Sequence, residues 1–359
     1  MTEAFRAWRH LVRILFSRHA AEDAGVNWQI AISFANAGLV TGVLWSELTR
    51  RPELSAALTD DERDYLSSYH QLTQSRNRAI RAQALACIEL LTQDGIAALP
   101  LKGAAYLIEN LGDALSRFIS DIDLLVPADK AQAARNALIR AGYRDAPVSP
   151  VAGAEHHHLT ALLHDDLPAA VELHTAVVPK TLAAALPTDA VWARANPVRI
   201  DPVDVPLPSP TDAATISFLH GELVDLGTLL LTIPLRLFHD LHTLQTAHGH
   251  AIDWQEVAGR ADAVDGGARL RRYLYYYERL SGTKLPANRR HSLTDAASYR
   301  AALAAIDHPA IYEWRRRVDQ LSERRLRQRY KTDGAIQIGL ARCRALAGML
   351  TNSVTRRRE

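Results

Sequence analysis

Apolar positions in the first 97 residues recur at helical intervals. Phe5, Trp8, Leu11, Val12 and Leu15 form one stripe, and an alanine-rich helical pattern continues from Trp28 to Leu48. A long run from Arg63 to Gln93 follows Asp60, Asp61 and Glu62, acids suited to a first helical turn, and ends before Gly95. At Ile96 the pattern changes. Ile96 to Leu101 reads as a short buried strand, Lys102-Gly103 as a turn, and Ala104 to Leu111 as an apolar helix. Asp121 to Val126 opens with alternating polar and apolar positions, as a half-buried strand does. Pro127-Ala128-Asp129 reads as a turn in which Asp129 caps a helix from Lys130 to Ala141.

Further on, Leu159 to Leu163, the turn residues His164 to Pro168 and the apolar run Ala169 to Val178 predict a hairpin. A proline-rich stretch from Pro179 to Pro210 reads as a hand-over, and Ser209-Pro210-Thr211-Asp212 as a helix start. Helices are expected over Ala213 to Thr246, from Ile252-Asp253-Trp254 onward, and over Arg269 to Leu280. The succession predicts an α+β protein, predominantly helical, with a small mixed sheet. The expected units are an N-terminal helical region (1–95), an α/β core (96–205) and a C-terminal helical region with a basic tail (206–359).

Chemistry concentrates in the middle. Asp121 and Asp123 share one strand face, roughly 6 to 7 Å apart, while Ile122 and Leu124 point to the other. Two acids on one face repel, and a divalent cation relieves that, although a polar edge strand would show the same spacing. Glu172 and His174 share a face by the same period in the later strand. Lys102 and Gly103, at a strand-to-helix corner, suit a phosphate, and Arg117 adds a forked donor.

With Leu-Lys-Gly at 101–103, Arg117, Asp-Ile-Asp-Leu-Leu-Val at 121–126 and Glu-Leu-His at 172–174, the sequence resembles the uncharacterised nucleotidyltransferase family of the polymerase-β-like superfamily. The resemblance covers residues 96 to 174 well and the remainder loosely. Ala104 stands where that superfamily usually has Ser or Gly, and the spacer to Asp121 is long. The resemblance implies a nucleotidyltransferase core in which Asp121, Asp123 and Glu172 hold Mg2+ or Mn2+. Lys102, Gly103, Arg117, His174, Arg236 and Asp240 would surround a nucleoside triphosphate, ATP first, or its acceptor. Such an enzyme transfers a nucleoside monophosphate to an acceptor on a small molecule, peptide or protein. Kinase-like phosphoryl transfer and a catalytically silent nucleotide-binding module are the alternatives.

Composition narrows the setting. Hydrophobic residues make up 48% of 359, enough for ordinary cores, and the two cysteines, Cys87 and Cys343, give no disulfide framework. No run is long and apolar enough to span a bilayer, and the N-terminus reads as a docked amphipathic helix, so a cytoplasmic protein is expected. Residues 311–359 carry 13 Lys and Arg against 5 Asp and Glu, which places the positive charge at the end of the chain. Nucleic acid is a partner this tail would suit, but a solvated basic helix face is the favoured reading. Among the histidines, His156, His158 and His174 would suit zinc, yet the carboxylates favour magnesium. Arg76, Asn77 and Arg81 form either a solvated helix face or substrate contacts, and Arg236 and Asp240 are spaced to pair along one helix. Tyr273, Tyr275, Tyr276 and Tyr277 either pack a helix or stack a base.

Overall fold

A computed structural model describes residues 2–17, 25–147, 157–286 and 290–308. The basic tail and His156 lie outside the described residues. Helices α1 (Glu3–Phe16), α2 (Trp28–Ala37), α3 (Thr41–Thr49), α4 (Pro52–Ser55) and α5 (Asp60–Gln93) form the N-terminal part. The stripe on α1 buries Trp8, Leu11, Val12 and Leu15, and α1 packs on α2, α3, α12 (Gly267–Ser281) and α13 (Leu293–Asp307). The Trp28 to Leu48 pattern is two helices rather than one: Leu39 adopts a left-handed backbone at φ 57°, which ends α2 and restarts the chain as α3. The long helix α5 opens with a reciprocal capping box between Thr59 and Glu62.

The central part runs β1 (Leu99–Pro100), α6 (Lys102–Glu109), β2 (Asp121–Leu125), α7 (Ala131–Arg140), β3 (Arg144–Asp145), β4 (Leu162–Leu163) and β5 (Ala170–His174). The sheet order is β1-β2-β5-β4-β3. β2 and β5 are parallel, and the other pairings are antiparallel. The α+β, mostly helical class therefore holds. The expected strand at Ile96 to Leu101 pairs over only two residues, because Lys102 already begins α6. Asp129 lies within a 3-10 turn, and its side chain makes no cap to α7.

The proline-rich hand-over contains structure that its composition hides. After α8 (Thr188–Ala193), β6 (Asn196–Ile200) and β7 (Val203–Leu207) form a two-stranded ribbon with Pro197 opposite Pro206. Both strands are edges, so the missing proline N–H groups cost the ladder little. Ser209 caps α9 (Pro210–Phe218) as its motif predicts. The expected helix over Ala213 to Thr246 is broken by a π-helical turn at Leu219–Val224, a 3-10 turn at Thr228–Leu230 and Pro234, after which α10 (Leu235–His248) begins. α11 (Trp254–Asp262) starts at its Asp253 cap. On α12, Tyr273, Tyr276 and Tyr277 are fully buried, which makes them core side chains rather than a base-stacking surface.

Candidate active site

The site is built on the one parallel pairing found among the described strands. In β2 the alternation puts Ile122 and Leu124 fully into the core, while Asp121 remains half-exposed. The parallel register sets Asp123 opposite Glu172 on β5. His174 follows Glu172 by two residues on the same face, and its Nε2 donates to Asp123 Oδ1 at 2.7 Å. The same nitrogen lies 3.7 Å from Glu172 Oε2. Donor atoms of Asp123, Glu172 and His174 all lie within 4.8 Å of one another, a grouping that could hold a metal ion. Asp121 stands outside that grouping and accepts from Ser120 Oγ at 3.0 Å.

Lys102 completes the cluster, its Nζ donating to Asp123 Oδ1 at 3.1 Å. Lys102, rather than Gly103, carries the left-handed backbone of the turn, at φ 49°. A side chain in that region costs roughly 1–2 kcal/mol, and here the conformation aims the ammonium at the carboxylates. Gly103 serves a neighbour: a Cβ there would stand 2.6 Å from Arg117 Nη1. Ala104 is buried within α6, and its N–H is taken by Leu101 O.

Electrostatics follow from this packing. Burial raises the Asp123 carboxyl, but the His174 hydrogen bond and the Lys102 charge outweigh it and hold the group well below the usual carboxylate range. For His174 burial pulls the pKa down, and its bonds to Asp123 and Glu172 more than reverse that. The His174 hydrogen bond lowers Glu172. Asp121 moves the other way, raised by burial and by the charge of Asp123. His158 Nδ1 approaches Glu172 Oε2 at 3.9 Å, and the His157 ring centroid is 5.1 Å from that of His174. Burial and the neighbouring His174 push His157 down to about 4. The cluster thus joins acids, histidines and one lysine.

Arg117 and Asp240 meet elsewhere. Arg117 donates from Nε and Nη2 to the two oxygens of Asp240 at 2.7 and 2.8 Å. The expected pairing of Asp240 with Arg236 along α10 is therefore replaced by a longer-range one, because Arg117 presents a planar fork to both carboxylate oxygens. Tyr106 donates to Asp240 O at 3.1 Å, and the Arg117 guanidinium lies 5.8 Å from the Tyr106 ring centroid. Arg236 shares a cavity wall with Lys102, Arg117 and Asp240.

The polar residues of α5 turn to backbone carbonyls rather than forming a solvated face. Asn77 is buried and donates to Leu115 O and Arg117 O at 2.8 and 2.6 Å. Arg76 donates to Ile119 O and Pro168 O, and Arg81 to Leu107 O. The bonds to Leu115, Arg117 and Ile119 fix the segment that feeds β2. The consecutive histidines at 156–158 pointed to this region, and the fold brings the His157 ring beside that of His174.

A mixed sheet thus sets acids of adjacent parallel strands beside a lysine at a helix start. Residues 24–282 match the family described as uncharacterised nucleotidyltransferase, and the chain belongs to that family. No curated protein matches the chain. No helix among the described residues is long and apolar enough to cross a membrane.

Proposed function

We propose that the protein is a divalent-metal-dependent nucleotidyltransferase that transfers a nucleoside monophosphate from a triphosphate, ATP first, to an acceptor. The observation that carries this reading is the register of Asp123 against Glu172, with His174 bridging them. The donor set fits a cation: two carboxylates and an imidazole converge within 4.8 Å, and Asp121 precedes Asp123 on the same strand. Asp123 and Glu172, joined by Asp121 from the strand of Asp123, would hold Mg2+ or Mn2+, with His174 Nε2 orienting the Asp123 carboxylate. Such a cation, when bound, neutralises phosphate charge and fixes the reacting oxygens in line.

The chain's own groups do the rest. Lys102 now neutralises Asp123 at 3.1 Å, a duty a cation would take over, releasing the ammonium to triphosphate oxygens. The N–H groups of Lys102 and Gly103, at the start of α6, would add donors at the same corner. Arg117, bound to both oxygens of Asp240, contributes by holding α6, β2 and α10 in register rather than as a free phosphate donor. Positioning of this kind supplies much of the rate in phosphoryl transfer.

The test is calorimetric binding of each nucleoside triphosphate, as a non-hydrolysable analogue, with and without Mg2+. Binding that requires both the metal and Asp123 supports the reading. Metal-independent binding that survives Asp121→Asn/Asp123→Asn would leave a nucleotide-binding module. Release of a nucleoside diphosphate instead of pyrophosphate, once an acceptor is found, would mark a kinase.

A further inference from the structure

A cavity of about 1050 Å3 adjoins the carboxylate cluster. Its size lies at the upper end of the range that encloses a drug-sized molecule. Most of its wall is apolar, with Phe34, Leu207, Ile216, Ile233, Leu237 and Ile306 among the lining residues. Lys102 joins the two places, since it lines the cavity and also holds Asp123.

The charged side chains on this wall are paired, with one exception. Lys102 meets Asp123, Arg117 meets Asp240, His220 meets Asp225 at 3.1 Å and His248 meets Glu109 at 2.6 Å. Arg236 forms no hydrogen bond or ion pair among the described residues. It is half-buried; burial, followed by the like charge of Arg117, makes its own charge less favourable, and the charges of Asp240, Asp121 and Asp225, none of which it pairs with, offset part of this. A half-buried guanidinium beside a second cation is costly without a counter-ion. The charge of Arg117 is already met by Asp240 at hydrogen-bond distance, so Arg236 is the arginine on this wall that no carboxylate touches. Apolar surface predominates on the wall, with Asn196, Ser217 and Thr232 among its neutral polar side chains, so it suits an apolar body better than a polar base and ribose.

We propose that this cavity binds the acceptor, and that the acceptor is a small amphipathic anion whose apolar body fills the cavity and whose single carboxylate-type group rests on Arg236. Calling the occupant an acceptor rests on the transfer chemistry proposed above. The amphipathic-anion site itself rests on the wall alone.

The test uses the full chain and displacement of 8-anilinonaphthalene-1-sulfonate by decanoate or by its neutral counterpart decanol. Decanoate is expected to displace the fluorophore at concentrations at least tenfold lower than decanol. Arg236→Gln should abolish that preference, Arg236→Lys should retain much of it, and Ala305→Trp, which narrows the wall, should weaken both ligands. Circular dichroism establishes that each variant is folded. Equal displacement by the two ligands, or a preference that survives Arg236→Gln, overturns the site. Competitive displacement by a non-hydrolysable ATP analogue with Mg2+ overturns the acceptor assignment, because the cavity would then belong to the nucleotide. The probe experiment needs no nucleotide, so failure of the transfer chemistry and failure of the anion site are read separately.

Discussion

Asp123 on β2 stands opposite Glu172 on β5, and His174 reaches across from the same strand face to Asp123 at 2.7 Å. The two carboxylates are therefore held by backbone pairing rather than by loops, and the charge at Asp123 depends on Lys102 and His174. Asp123→Asn keeps the shape and removes that charge. It is expected to lower metal-dependent nucleotide affinity at least tenfold while the far-ultraviolet circular dichroism stays unchanged. Unaltered affinity would show that the nucleotide binds elsewhere.

The buried pair between Arg117 and Asp240 links the segment before β2 to α10. Removing one partner leaves the other charge uncompensated, at a cost of about 3–5 kcal/mol. Asp240→Ala should therefore shift the urea midpoint sharply downward. The double change Arg117→Met/Asp240→Leu should recover most of the loss, since an apolar pair of similar volume carries no desolvation penalty. An Asp240→Ala variant within about 1 kcal/mol of the parent would mean that the pair behaves as an exposed one.

Asn77 tests whether the approach to β2 is held from α5. Its amide donates to two carbonyls, Leu115 O and Arg117 O. Asn77→Ala leaves both without their donor and is expected to cost about 2–3 kcal/mol by urea denaturation. Nucleotide affinity should fall as well, although Asn77 lies outside the metal cluster. Loss of stability with full affinity would separate the fold of this segment from the site.

Glu222 gives the pH dependence a sign. The side chain is fully buried in the π-helical turn and accepts from Thr228 Oγ1 at 2.5 Å. Burial raises its carboxyl from an ordinary 4.5 to about 7, against the opposing bonds from Thr228. Below pH 4.5 folded and unfolded chains both hold the proton. Between 4.5 and about 7 the unfolded chain releases it first, so stability falls as pH rises through that window and levels off above it. The full excursion is on the order of 3 kcal/mol. Glu222→Gln should remove it, so the variant should gain on the parent between pH 5 and pH 8 in thermal melts. An unchanged difference at the two pH values would contradict the shift.

The local parts of this design were legible in the sequence. Asp121, Asp123, Glu172 and His174 could be placed on strand faces because side-chain alternation depends only on neighbours. Ser209 and Asp253 announced their helices for the same reason. Contacts between distant segments were not legible. Asp240 had a plausible partner four residues away in Arg236, yet its carboxylate is taken by Arg117, 123 residues distant. Helical spacing put Arg76, Asn77 and Arg81 on one face but could not say that carbonyls of α6 and of the segment after it would cover it. Prolines concealed the β6–β7 ribbon, since a two-stranded ribbon tolerates them at its edges. The turn before α6 was expected to rely on Gly103, and the backbone strain sits on Lys102 instead.

The most direct measurement is titration of Mn2+ into the full chain, followed by electron paramagnetic resonance of the free ion. It is made with and without a non-hydrolysable ATP analogue, for the parent, Asp123→Asn and Glu172→Gln. The account predicts tight Mn2+ uptake in the parent that strengthens with the analogue, and a weakening of at least tenfold in each variant. Equal Mn2+ uptake by all three proteins would contradict the claim that β2 and β5 together carry the metal site.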